Sequence, residues 1–154
     1  MKLSKLDQID RAILSALQKD SSKSQRELAE IVGLSQNACW RRLQNLTASG
    51  VIKGQTTVLN RQKLGLGLVV FVMLRTRHHS ADWLRSFRSH VITIPEVTDF
   101  FRIGGDYDYM LKVVTKDMPS YDRVYQRLIA KVDLDQVTSY FAMETIVEQR
   151  ALPL

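Results

Sequence analysis

Leu6, Ile9, Ile13 and Leu17 recur at helical spacing, so the pattern predicts an amphipathic helix from Leu6 to Lys19. Asp20 to Lys23 is a polar turn. Ser24 with Glu27 three residues on is a capping box, and it opens a second helix over Gln25 to Val32. Gly33 follows, where a left-handed backbone carries little steric cost for glycine. Ser35 then caps a third helix that runs to about Ser49 and stops at Gly50. Cys39, Leu43 and Leu46 share one face of it; Gln36, Asn37, Trp40, Arg41 and Gln44 lie on the other. A buried stripe backed by amides, an indole and a guanidinium suits a helix lying in a DNA major groove. The two helices joined at Gly33 are therefore a helix-turn-helix candidate. The segment VIKGQTTVLN after Gly50 is β-branched and alternates around a glycine, which predicts a short strand pair, or wing.

The pattern changes at Arg61 to Gly67, RQKLGLG, which has little packing capacity. The expected division is a DNA-binding domain over residues 1–60, a linker over 61–67 and a second domain over 68–154. In the second domain an apolar strand runs from Leu68 to Arg77. Ser80 caps a helix to about His90 whose inward side is Trp83, Leu84, Phe87 and Val91. Strands over Glu96 to Ile103 and Tyr107 to Thr115 meet at a Gly104-Gly105-Asp106 hairpin. Asp117 and Pro119 open a helix to about Lys131, with Tyr121, Val124, Leu128 and Ile129 inward, and a last strand spans Gln136 to Val147. The order β-α-β-β-α-β is the ferredoxin-like split pattern, so the fold class is α+β: a winged helix-turn-helix followed by a ferredoxin-like domain. In the first and last of these strands both alternating sets are largely apolar, yet two helices cover only one face of a sheet. A soluble monomer rarely leaves such a face bare, so a second copy is expected to pack on it as a homodimer.

Charge sharpens this division. Residues 1–60 hold nine Lys/Arg against five Asp/Glu, Arg61 and Lys63 add two more cations, and residues 68–154 balance at eleven of each sign. No carboxylate occurs between Glu30 and Asp82. All of the net +6 thus lies in the first part of the chain, as a module that meets phosphates requires. Ser35, Gln36, Asn37, Trp40 and Arg41 are expected at base edges, and Arg42, Lys53 and Arg61 nearer phosphates. The longest apolar run, Leu64 to Leu74, is broken by Gly65 and Gly67 and falls short of the roughly 18–20 residues a membrane helix needs. The start MKLSKLDQIDR lacks an apolar signal core, and the single Cys39 has no partner for an internal disulfide. Both features fit the cytoplasm.

Chemistry of the enzymatic kind finds few parts. Asp106 and Asp108 are two apart, but no nucleophile, metal set or phosphate loop accompanies them, so no enzyme is expected. His78, His79 and His90 lack paired ligand spacing, which argues against a metal site, and no cofactor is implied. Cys39 belongs to the buried face of the third helix, where packing is the plainer role and a thiol sensor the alternative. Trp40 is either an edge-of-core residue or a base reader.

SQRELAEIVGLSQNACWRRLQNLTASGVI followed by GGDYDYMLKVVTKDM resembles the leucine-responsive regulatory protein/asparagine regulator (Lrp/AsnC, "feast/famine") transcription factor family over nearly the whole chain. His78-His79-Ser80, Phe141-Ala142-Met143-Glu144 and Leu152-Pro153-Leu154 further resemble the branch that includes the bacterial regulator of cysteine detoxification. The resemblance implies dimers that assemble further, commonly to octamers, on double-stranded DNA. It also implies an amino acid effector bound in the second domain at an interface between dimers. Carried over by position, the effector region takes in Gly105, Asp106, Tyr107, Asp108 and Tyr109, with Met118, Tyr140, Phe141 and Ala142. A Gly-rich turn offers amides to a carboxylate, and Asp106 or Asp108 offers an acceptor for an α-ammonium. The expected function is a sequence-specific transcription regulator responding to a small amino acid. The alternatives are an architectural DNA-binding protein without an effector, or an amino-acid-binding module that does not bind DNA.

Overall fold

In the computed structural model, which describes residues 6–154, the chain falls into two units. The first unit takes in the chain up to Val58 together with Val147–Leu154; the second is Leu59–Ile146.

In the first unit, α1 (Gln8–Lys19), α2 (Gln25–Val32) and α3 (Gln36–Ala48) enclose Ile13, Leu28 and Cys39, which have almost no exposure. Each helix is set by its own start signal. Asp7 accepts from the Asp10 amide, and Ser24 from the Glu27 amide, while the third-position carboxylate answers back in both boxes. Ser35 accepts from the Ala38 amide to start α3. Gly33 ends α2 at φ +68°, a conformation that a side chain would strain. Residues 1–5, part of the span expected for the first domain, lie outside the described residues.

Several capping carboxylates here are more acidic than usual. Asp20 is lowered to about 2 by bonds from the Ser22 hydroxyl and amide and then from Lys23. Asp7 is lowered first by the Asp10 amide and then by Arg42, and Glu27 by the Ser24 hydroxyl and amide. A carboxyl depressed in the fold stabilises it above the unfolded value and ceases to do so as pH falls through the folded value. Helix content of this unit is therefore expected to hold at pH 5 and to drop as pH falls from about 4 toward 2. An acid titration by circular dichroism reads this, and Asp20→Asn should make the transition shallower.

The expected wing is not formed within the chain. Residues 51–60 have no strand assigned and begin in a bend at Val51–Ile52, where Ile52 N donates to the Leu46 carbonyl at 3.1 Å. A two-stranded ribbon alone is marginal, and Gly54 weakens the middle of this one.

In the second unit, β1 (Leu68–Arg75), β2 (Val97–Arg102), β3 (Tyr109–Thr115) and β4 (Gln136–Phe141) form one antiparallel sheet in the order β2-β3-β1-β4. The helices α4 (Ala81–Ile92) and α5 (Met118–Ile129) start at the side-chain caps Ser80 and Asp117. Phe87 and Val91 of α4 and Val124 and Leu128 of α5 pack with Val70, Val72, Leu74, Leu111 and Val113, so both helices lie on one face. The ferredoxin-like order is as the pattern predicts. On the opposite face Phe71 pairs across to Tyr140, and Met73 to Met110, with Phe101 beside Met110. Tyr140 and Phe101 are about half exposed there.

The last strand is shorter than expected, ending at Phe141 rather than Val147. β1 begins at Leu68, and Ala142 N to the Val69 carbonyl is the closing bond of the ladder, so no strand remains for residues 143–147 to pair with. Met143 and Ile146, whose alternation reads as strand, face solvent. Residues 147–154 also differ from the expected division, since they pack with the first unit.

Candidate nucleic-acid interface and effector site

α3 turns its stripe inward as its spacing requires: Cys39 and Leu46 are buried and Leu43 is half-buried. Gln36, Asn37 and Arg41 are exposed, and Trp40 keeps 48% of its surface open. An indole so exposed on a helix is available to a groove rather than fixed in a core edge. Ser35 Oγ is engaged in the cap, 3.3 Å from the Ala38 amide, and still has its proton to donate. Burial pushes the Cys39 thiol up, which disfavours the thiolate that a sensor needs.

The three cations expected near phosphates fare differently. Lys53 is exposed. Arg42 Nη1 instead donates to Asp7 Oδ2 at 2.7 Å and Asp10 Oδ1 at 2.8 Å, so it clamps α3 to the start of α1. These carboxylates, Asp10 first, hold its guanidinium above the usual arginine value. Arg61 belongs to the second unit, where Nη1 donates to the carbonyls of Leu66 and Gly67 and Nη2 to Thr145 Oγ1 at 2.7 Å. Both arginines act as struts in this structure. Periodicity places Arg42 beside the groove face but carries no information about Asp7 and Asp10 converging on it.

The residues expected around the effector separate into two groups. Gly105, at φ +122°, Asp106 and Tyr107 lie in the β2–β3 loop. Tyr107 Oη is 3.1 Å from Thr138 Oγ1 on β4, and its hydrogen bond to Tyr140 pushes the Tyr140 phenol up. Gly105, Asp106 and Tyr140 are exposed. The second group is Met118, which is exposed at the start of α5, Phe141, which follows Tyr140 on β4 but is set edge-on to Tyr121 of α5 at 5.6 Å, and Ala142.

Two expected contacts have structural roles. Tyr109 is 4% exposed, its ring 5.0 Å from Phe87 and 5.7 Å from Phe100, so it belongs to the core. Its position on the inward register of β3 was the available signal. Asp108 Oδ2 accepts from the amide of buried Thr76 at 2.8 Å, while its backbone bonds Leu74 and Ile103. Asp108→Ala is therefore expected to lower the stability of this unit by about 1–3 kcal/mol, because the Thr76 amide loses its acceptor. Asp108→Asn keeps an oxygen there and should lose less. Thermal melts of the two variants decide; equal melting points would remove the Thr76 bond from the account. Thr138 and Ser139, absent from the sequence reading, carry polar contacts on opposite faces of β4: Tyr107 Oη bonds Thr138 Oγ1, and Tyr121 Oη bonds Ser139 Oγ. A tyrosine on the inward side of α5, whose hydroxyl needs a partner, was the only hint.

Residues 6–53 match the family model for winged helix-turn-helix DNA-binding domains, and residues 69–152 match the Lrp/AsnC ligand binding domain. The chain is 47% identical over 150 residues to the glutamate uptake regulatory protein of Zymomonas mobilis, covering 97% of this chain and 92% of that one. It is 44% identical to the DNA-binding transcriptional activator DecR of Escherichia coli K12, covering 97% and 99%. Among solved structures, an AsnC family transcriptional regulator from Agrobacterium tumefaciens superposes with a TM-score of 0.93 at 44% identity, covering 96% of this chain and 97% of that one. The transcriptional regulator NMB0573 of Neisseria meningitidis, in complex with L-Met, superposes with a TM-score of 0.91 at 30% identity, covering 97% of each. The chain belongs to the Lrp/AsnC family of transcriptional regulators, with a winged helix-turn-helix DNA-binding domain ahead of the family's ligand-binding domain.

Proposed function

We propose that this regulator reads double-stranded DNA in a sequence-specific way with α3 and that a small amino acid bound in the second domain changes its DNA affinity or assembly. The observation that carries the reading is the open polar row Gln36, Asn37, Trp40 and Arg41 on a helix whose other face is buried. Lys53 is the phosphate contact. The L-Met complex of the Neisseria relative supports an amino acid as the effector class. The exposed Gly105-Asp106 turn, Tyr107 and Tyr140 form one half of the effector site, and Met118 and Ala142 belong to the half that another copy supplies. The apolar outer sheet face, with Phe71, Met73 and Phe101, is the dimer surface, and dimers assemble further, to octamers. An effector acts here only by binding one assembly or DNA-bound state better than another. The protein works in the cytoplasm and carries out no catalysis. Among the described residues no helix is long and apolar enough to cross a membrane.

A gel shift against the DNA upstream of the protein's own coding sequence, run with and without each of the twenty amino acids, tests the reading. A ligand that binds the folded protein alone also raises its melting temperature. DNA binding with no amino acid response in either assay would favour an architectural role; a response without DNA binding would favour a ligand module.

The cations make a second test. Lys53→Ala is expected to weaken binding to all sequences and to flatten the slope of log affinity against log salt by about 0.9. Arg42→Ala should leave that slope unchanged, because its guanidinium is already engaged by Asp7 and Asp10. Equal changes in slope for both variants would return Arg42 to the phosphates.

A further inference from the structure

The chain passes into the second unit at Leu59 and returns to the first at Val147. By sequence, most of these last residues belong to the ligand-binding domain, whose family match runs through residue 152. By packing they belong to the DNA-binding unit. Leu152 N donates to Gln18 Oε1 at 2.7 Å, and Gln18 Nε2 donates to the Leu152 carbonyl at 3.2 Å. One side-chain amide thus pairs with both backbone groups of a single residue, as a neighbouring strand would. Around this pair Leu6, Leu14 and Leu17 meet Ile52, Val58 and Leu154 about a cavity of about 510 Å³. Three residues before Leu152, Gln149 has φ +55°, a left-handed conformation that a non-glycine residue keeps only where its surroundings hold it.

We propose that residues 147–154 are a strap: a piece of the ligand-binding domain's sequence that docks in its own chain on α1 of the DNA-binding unit, with Gln18 as its receptor. Residues 142–146 join β4 to the strap, so the strand that ends at Phe141 reaches α1 through them and the two Gln18 hydrogen bonds, separately from the 59–67 connection. Its hold is reversible by construction. Two hydrogen bonds fix the backbone, while Leu152 as a residue remains 71% exposed. The docking rests on these contacts within the DNA-binding unit and does not depend on the effector reading given above.

Hydrogen exchange on the full-length protein, resolved to the Leu152 amide, tests the docking without DNA or ligand. The wild type is expected to protect this amide, and Gln18→Ala should speed its exchange at least tenfold while amides across β1 and β3 stay unchanged. Gln149→Gly, which removes the steric cost of the positive φ, should keep or raise the protection. An unprotected Leu152 amide in the wild type, or one that Gln18→Ala leaves unchanged, overturns the strap. A double variant, Gln18→Cys with Leu152→Cys, tells own-chain docking from exchange between copies. An internal crosslink that leaves a monomer on a non-reducing gel supports the proposal, and a covalent dimer overturns it. Should gel shifts find no DNA binding at all, the functional reading falls while protection at Leu152 stands.

Discussion

Replacing Phe87 with alanine is expected to lower the stability of the ligand-binding domain by about 3–5 kcal/mol, the range for truncating a fully buried aromatic ring. Phe87 has no exposed surface and is the hub of the aromatic group beneath the sheet. Its ring stacks on Trp83 at 5.0 Å, meets Phe100 edge-on at 5.5 Å and lies 5.0 Å from Tyr109. Alanine removes both the transferred surface and the partner atoms of three rings, and β1 beneath them cannot close the gap without disturbing its ladders to β3 and β4. Domains of this size are stable by only about 5–15 kcal/mol, so the loss is a large share of the total. Urea unfolding followed by hydrogen exchange in β1 and β3 measures it. The core of the DNA-binding unit is a separate cluster and should melt where it did before. A loss under about 1 kcal/mol would mean that the ring is not packed as described.

Arg41→Ala should reduce discrimination between operator and unrelated DNA by about 1–3 kcal/mol, the value of one bidentate contact to a guanine edge. Arg41 stands one residue before the clamped Arg42, yet it is exposed on α3, away from the buried stripe of Cys39 and Leu46. The contrast between neighbours makes the expectation specific. The loss should appear as affinity for operator falling toward the nonspecific level, with nonspecific affinity changed by its single charge alone. Competition gel shifts at fixed salt read both quantities. An equal loss on all sequences would move Arg41 from base edges to phosphates.

What could be read from the sequence follows the range of the interactions concerned. Caps and turns are local, so Ser24 with Glu27, Ser35, Ser80, Asp117 and Gly33 are all legible in the sequence alone. The β-α-β-β-α-β order was legible because each element buries one periodic face. Strand length depends on where the partner strand ends, which is why 143–147 reads as strand and is not. The wing fails for the same reason: alternation without a partner does not make a ladder. In the candidate sites, residue types were legible but saturation was not. Arg42, Arg61 and Asp108 have the right chemistry for phosphates or an ammonium, and each is satisfied by a group 32 to 84 positions away in the sequence. Tyr109 and Asp108 sit in a motif that looks like a ligand loop, and the fold uses both to build it.

Cys39 gives this protein a built-in clock. It is the only cysteine in the chain, it has no exposed surface, and it lies in the core of the DNA-binding unit. A thiol reagent can reach it only while that unit is open, so the labelling rate under native conditions is set by the opening equilibrium of those three helices. The ligand-binding domain contributes no thiol to the signal. Any compound or DNA that slows the labelling reports, without an added probe, that it has stabilised the half of the molecule that carries α3.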